Sequence, residues 1–252
     1  MPGLQERIAV ITGAGRGLGA ALAVSLAEAK CNLVLCGRNP GALERVAEAV
    51  FQRVGRRPVC IAVDLADSGS VQHAVEAISR LHGHVDLLVN NGAMWLEARD
   101  EPYTAEEVLG VVNSAVTGTY LFTQGLLPML RQSNHPDIVT IGSTSGLPNA
   151  PLDNVAVPFY AAKRAQAAIA DGLQQMLSGT PVRSIAIHPP NLDDIQPGEP
   201  EWDAVAGRAK GTRGTNRDVV EAVLFAVTRP RHITLSIVMD TADGGRFPPG
   251  GG

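Results

Sequence analysis

The chain has 252 residues, 45% of them hydrophobic, and a net charge of −4 from 21 basic and 25 acidic side chains. That length is enough for one α/β domain with a large core, and the apolar share excludes a disordered chain. The slightly acidic balance offers no cationic field, which argues against nucleic acid or an anionic membrane as partner.

No apolar leader precedes the first strand-like run and no apolar stretch reaches the length of a membrane span, so a cytoplasmic location is expected. That first run, 8–12, passes straight into Thr12-Gly13-Ala14-Gly15-Arg16-Gly17-Leu18-Gly19, and a helical pattern follows over 17–29. Glycines allow a tight turn and a close backbone approach. The helix N-terminus then presents unpaired N–H groups, so the segment suits a pyrophosphate. Next come a strand over 32–36, a helix over 40–53, a strand over 58–63, a helix over 68–81 and a strand over 85–89. Cys31, Cys36 and Cys60 lie in or beside these apolar runs without forming a CxxC pair. They are expected as buried, reduced thiols, and no metal is expected.

The second half continues the alternation, with helices over 104–127, 159–178 and 216–227 and strands over 137–141, 182–187 and 232–238. The stretch 188–214 is Pro-rich and then charged; its 190–214 part reads as a substrate loop and 246–252 as a flexible tail. The alternation predicts a single dinucleotide-binding domain over 1–252, a doubly wound, seven-stranded parallel sheet with helices on both faces. The expected strand order is 3-2-1-4-5-6-7, with the ligand at the carboxyl ends beside the switch between the first and fourth strands.

The spacing Gly13-x-x-x-Gly17-x-Gly19 resembles the fingerprint of the short-chain dehydrogenase/reductase family, and the similarity runs from about residue 6 to 245. The resemblance implies a Rossmann fold and hydride transfer between a nicotinamide cofactor and a small carbonyl or alcohol. It assigns the pyrophosphate to the turn containing Gly13, Gly15, Arg16, Gly17, Leu18 and Gly19. In the family an acidic residue ending the second strand binds the adenosine ribose hydroxyls of NAD. Here Leu33-Val34-Leu35-Cys36-Gly37-Arg38 places Gly37 there, with Arg38 next. A guanidinium grips a 2′-phosphate that a carboxylate would repel, so Arg38 and Arg16 point to NADP(H). Asp64-Leu65 resembles the pair that holds adenine. Asn90-Asn91-Gly92-Ala93 stands where the family has Asn-Asn-Ala-Gly, with its last two residues exchanged and Asn91 and Gly92 beside the cofactor.

Reduction also needs a group to polarise the oxygen and a proton source, and a tyrosine serves only when nearby positive charge lowers its pKa. Ile141-Gly142-Ser143-Thr144-Ser145-Gly146 resembles the family's Ile-Ser-Ser-x-x-Gly segment, which implies that Ser143 holds the substrate oxygen. The same resemblance makes Tyr160 the proton donor and Asn113 the positioner of a water in the proton relay. It puts Arg164 at the lysine of the family's Tyr-x-x-x-Lys motif, binding the nicotinamide ribose and lowering the tyrosine pKa. Lys163 stands one step back, about 100° around the helix. After the sixth strand the family shows Pro-Gly and then a threonine on the nicotinamide. This chain has His188-Pro189-Pro190-Asn191-Leu192-Asp193-Asp194. Pro189 remains an expected cofactor contact, while Pro190 lacks glycine's freedom and a donor, which passes the nicotinamide contact to Leu192 N–H or Asn191. His188 is expected to be structural, and Asp243-Gly244-Gly245 matches the family's C-terminal Asp-Gly-Gly.

Met94, Trp95, Leu147, Pro148, Val155, Val157 and Phe159, with the 190–214 loop, are expected around the substrate, which favours an apolar ketone or alcohol. Two other readings keep the fold. One is an NADP(H)-binding regulatory protein with weak or no catalysis, and the other is a structural subunit. The resemblance implies a homodimer or homotetramer joined through the helices over 104–127 and 159–178.

Overall fold

The computed structural model describes residues 3–150 and 155–241. Seven strands form one parallel sheet: β1 (Ile8–Thr12), β2 (Asn32–Gly37), β3 (Val59–Ala62), β4 (Leu87–Asn90), β5 (Asp137–Ile141), β6 (Arg183–His188) and β9 (Ser236–Val238). Their order is β3-β2-β1-β4-β5-β6-β9, the order expected of the doubly wound dinucleotide-binding fold. Two further strands, β7 (Leu192–Asp193) and β8 (Gly214–Thr215), pair with each other in parallel.

The strand period of two assigns side chains to the two faces. Ile11, Leu35 and Val89 pack with Leu22 and Leu26 of α1 (Gly17–Glu28), Leu43 of α2 (Pro40–Val54) and Val223 of α8 (Asn216–Val227). Their neighbours Val10, Val34, Leu88 and Ile138 pack with Ile78 of α3 (Ser68–Leu81), Phe122 and Leu126 of α5 (Thr119–Leu130) and Leu173 of α6 (Val157–Met176). Polar side chains set the helix starts. Asn39 accepts from Ala42 N at 3.0 Å at the head of α2, and Thr104 and Glu107 form a reciprocal cap on α4 (Ala105–Val112). At the amino end of the sheet, buried Asp137 accepts from Arg183 at 2.8 and 3.0 Å and also pairs with Arg231 and Arg7. This ties β5 to β6 and leaves the carboxyl edge for the site.

Beyond shifts of one or two residues at element ends, three regions differ from the sequence reading. The helix expected over 104–127 is α4, a π-helical turn (Asn113–Gly118) and α5, with Thr119 Oγ1 donating to Ser114 O at 3.1 Å across the wide turn. The strand expected over 232–238 shortens to β9, because Arg183 takes the carbonyl of Ile233 at 2.9 Å. The stretch expected to be irregular over 188–214 holds β7, a short helix α7 (Pro200–Ala204) and the start of β8. Asp243-Gly244-Gly245 and the tail over 246–252 lie outside the described residues. Among those described, no helix is long and apolar enough to cross a membrane.

Candidate active site

Two clefts open along the carboxyl edge of the sheet, Met94 lining the first and its sequence neighbour Trp95 the second. The first, about 490 Å³, lies over the ends of β1, β2 and β4 and is lined by Gly13, Gly15, Arg16, Leu18, Gly19, Gly37, Arg38, Asp64, Leu65, Asn91 and Gly92, among others. Its floor is backbone packed to contact. Gly13 has φ +66°, and a Cβ on Gly19 would stand 2.1 Å from Gly13 O, so a side chain at 19 would push α1 off the strand. Asn91 Nδ2 donates to Thr12 O at 3.1 Å and to Gly13 O at 3.3 Å, while Thr12 Oγ1 accepts from the backbone N–H of Asn91 and Gly92. A Cβ on Gly92 would meet Leu65 Cδ1 at 2.9 Å and Gly13 N at 3.1 Å, so Gly92 packs closely against the glycine turn and Leu65. Asp64 Oδ1 accepts from Ala66 N at 2.9 Å, shaping the turn that carries Leu65 into the cleft.

Three exposed arginines line this cleft: Arg16 at the head of α1, Arg38 after β2 and Arg45 on α2. Arg45 was not foreseen from the sequence. Helical side chains lean toward the N-terminus, and Arg45 shares a face with Ala42, another lining residue, which is what brings it to the cleft. Gly17, whose N–H opens α1, does not line the cleft and is approached by the segment that follows β7. Both carboxylate oxygens of Asp194 lie 3.9 Å from its Cβ position, held by Asn216 Nδ2 at 2.6 Å and by Gln196, which also donates to Gly17 O at 3.3 Å.

The second cleft, about 530 Å³, is bounded by Gly142–Ser145, α6 and Pro189–Leu192. Ser143 starts the turn after β5, its Oγ accepting from Ser145 N at 3.2 Å. The expected pair Tyr160 and Arg164 does not line this cleft; Phe159 and Lys163 do. The reason lies in the helix period: Phe159, Ala162, Lys163, Gln166, Ala170 and Leu173 form the buried face of α6, whereas Tyr160 is half-buried and Arg164 exposed. A Cβ on Gly146 would stand 2.5 Å from Lys163 O, so the turn after β5 rests on α6 at that residue. Spaced i,i+4 on one face, Phe159 and Lys163 reproduce the geometry of the Tyr-x-x-x-Lys motif one position earlier, with phenylalanine in place of tyrosine. The apolar stripe of α6 was the signal in the sequence; anchoring the motif on the only nearby tyrosine hid it.

Lys163 is 6% exposed, and its Nζ donates to Ile141 O at 3.1 Å and to Gln166 Oε1 at 2.9 Å. Burial pushes its pKa down to about 8. Phe159, itself buried, packs edge-on against Trp95 with ring centroids 4.6 Å apart. Asn113 is half-buried at the start of the π-helical turn and lines neither cleft. Its neighbour Ser114 lines the first and accepts from Met94 N at 3.3 Å. Pro189, Pro190, Asn191 and Leu192 all line the second cleft, and buried His188 sits behind Gly142.

The chain belongs to the short chain dehydrogenase family, whose model matches residues 7–196. An uncharacterized oxidoreductase of Staphylococcus saprophyticus is 27% identical over 235 residues, covering 93% of this chain and 97% of its own. A short chain dehydrogenase of Burkholderia cenocepacia, solved in complex with NADP, superposes with a TM-score of 0.80 at 26% identity, covering 95% of this chain and 98% of its own. L-Sorbose reductase of Gluconobacter frateurii, solved with NADPH and L-sorbose, shares the fold with a TM-score of 0.81 at 20% identity over 94% of this chain and 96% of its own.

Proposed function

We propose that this short chain dehydrogenase is an NADP(H)-dependent oxidoreductase that interconverts a small, apolar ketone and a secondary alcohol. The observation that carries this reading is the pair of clefts on the carboxyl edge, lined in turn by the sequence neighbours Met94 and Trp95, one a glycine-floored cradle with three arginines, the other holding a hydroxyl and an ammonium. The cradle fits a dinucleotide, since contact-packed backbone at Gly13 and Gly19 leaves room for a pyrophosphate over the helix N-terminus. Gly37 leaves the end of β2 without a carboxylate, and Arg16, Arg38 and Arg45 supply the charge a 2′-phosphate needs. The Burkholderia cenocepacia short chain dehydrogenase, solved in complex with NADP, supports the same choice.

Bound there, the dihydronicotinamide supplies the hydride. Ser143 donates to the substrate oxygen, and Lys163 fixes positive charge beside it. Trp95, Val155, Phe159 and Leu192 exclude water and select an apolar substrate. Assembly as a homodimer or homotetramer, which the family resemblance implies, is to be checked by light scattering. The reading is tested by titrating NADPH and NADH and then following NADPH consumption with a panel of ketones. NADPH should bind about a hundredfold more tightly than NADH, and equal affinity would sink the cofactor assignment.

A second reading, NADP(H) binding without turnover, is favoured by Phe159, which puts a ring without a hydroxyl where the family motif has tyrosine. Tight NADPH binding with no ketone reduced would select it.

A further inference from the structure

If the chain reduces ketones, something other than a tyrosine hydroxyl must protonate the oxygen. Among the described residues lining the second cleft, Lys163 is the one titratable side chain; the others are hydroxyls, amides, prolines and apolar groups. His188 of β6 lies behind Gly142 and does not line the cleft. Asp193 faces Arg208 and Arg213, Asp194 faces Asn216 and Gln196, and Tyr160 and Arg164 lie off the cleft-facing stripe of α6. We propose that Lys163 is the direct proton donor of the reduction, a catalytic acid rather than only a support for one.

The geometry gives it the means. An ammonium has three N–H groups; Ile141 O and Gln166 Oε1 take two, and the third remains for the cleft. The Nζ lies 5.9 Å from the Phe159 ring centroid, so the ring that replaces the hydroxyl packs beside the amine that takes over its task. Burial alone, with no charged neighbour contributing, brings Lys163 to about 8, within reach of neutral pH, where an acid must both hold and release its proton. In the step, the carbonyl carbon receives the hydride with its electron pair from the dihydronicotinamide. The carbonyl oxygen takes the proton from the Lys163 ammonium. The products are the alcohol, the oxidised cofactor and a neutral amine, which regains a proton from water.

The proposal rests on the oxidoreductase reading, and its test separates the two. The chain has three lysines, Lys30, Lys163 and Lys210, so 13C-labelled lysine side chains give few NMR signals, and the Lys163 signal is the one missing in Lys163→Arg. That signal should titrate near 8, with or without NADPH. Lys163→Arg keeps the charge but does not release a proton. NADPH affinity should stay within about threefold of wild type, while kcat/KM for ketone reduction falls at least about a hundredfold. Wild-type reduction should decline above about pH 8 as the ammonium is lost. Adding Phe159→Tyr to Lys163→Arg supplies a hydroxyl beside a fixed cation and should recover at least about tenfold without that decline. Wild-type turnover that Lys163→Arg preserves, or a Lys163 signal that titrates only at the ordinary lysine pH, overturns the proposal and leaves the oxidoreductase reading standing. NADPH binding with no ketone reduced by the wild type overturns both.

Discussion

The two halves of the carboxyl edge are built on different principles. Over residues 8–92 the cradle is made of backbone: a glycine turn, a helix N-terminus and a strand end tied together by Thr12 and Asn91. Over residues 142–194 the site is made of side chains whose placement follows from the rotation of α6 and the path of the segment after β6. The first half keeps the family's spacing and keeps small residues at 92–93, where Gly92 packs closely against Gly13 and Leu65. The second departs at the tyrosine, at the glycine after Pro189 and at the threonine that would follow it. Steric demands on backbone leave little room for drift, whereas one side chain can be exchanged while its helix stays in place.

The sharpest way to break the contrast is to strike the backbone half. Gly19→Val puts a branched side chain where even a Cβ would stand 2.1 Å from Gly13 O. It should abolish NADPH binding and cost about 3 kcal/mol of stability, read by fluorescence titration and thermal unfolding; retained binding would show that the turn is not close-packed. On the side-chain half, Phe159→Tyr restores the missing hydroxyl and should raise kcat/KM at least about tenfold, about 1.4 kcal/mol of transition-state stabilisation. No gain would mean that position 159 does not face the substrate oxygen.

Arg45→Ala probes the cation that the helix face revealed. NADPH should bind about tenfold more weakly while NADH is unchanged, and an equal loss for both would place Arg45 away from the 2′-phosphate. Asp194→Asn removes a carboxylate beside the first turn of α1, where a pyrophosphate would meet like charge. NADPH affinity at low salt should rise about threefold, with the gain fading as salt is added. The smallest effects belong to the residues that the tyrosine-anchored motif singles out. Tyr160→Phe and Arg164→Ala should leave kcat/KM within about twofold of wild type; a hundredfold loss in either would restore the original register.

Alternation of apolar strands with helices was enough to determine a parallel sheet covered on both faces, while its order came from the dinucleotide-binding fold that the glycine turn resembles, and the expected strands over 8–12 and 137–141 match β1 and β5. The glycine turn was legible because positive φ and contact distances restrict residue type at the position itself. Only the tertiary structure decided which face of α6 meets Ser143, since Tyr160 with Arg164 and Phe159 with Lys163 satisfy the same i,i+4 spacing and differ by about 100° of rotation. The buried stripe from Phe159 to Leu173 fixes that rotation, as the core favours apolar burial on that face and leaves Arg164 to solvent. Arg45 and Asp194 reach the cradle from separate elements, and no local pattern encodes a distance across a cleft.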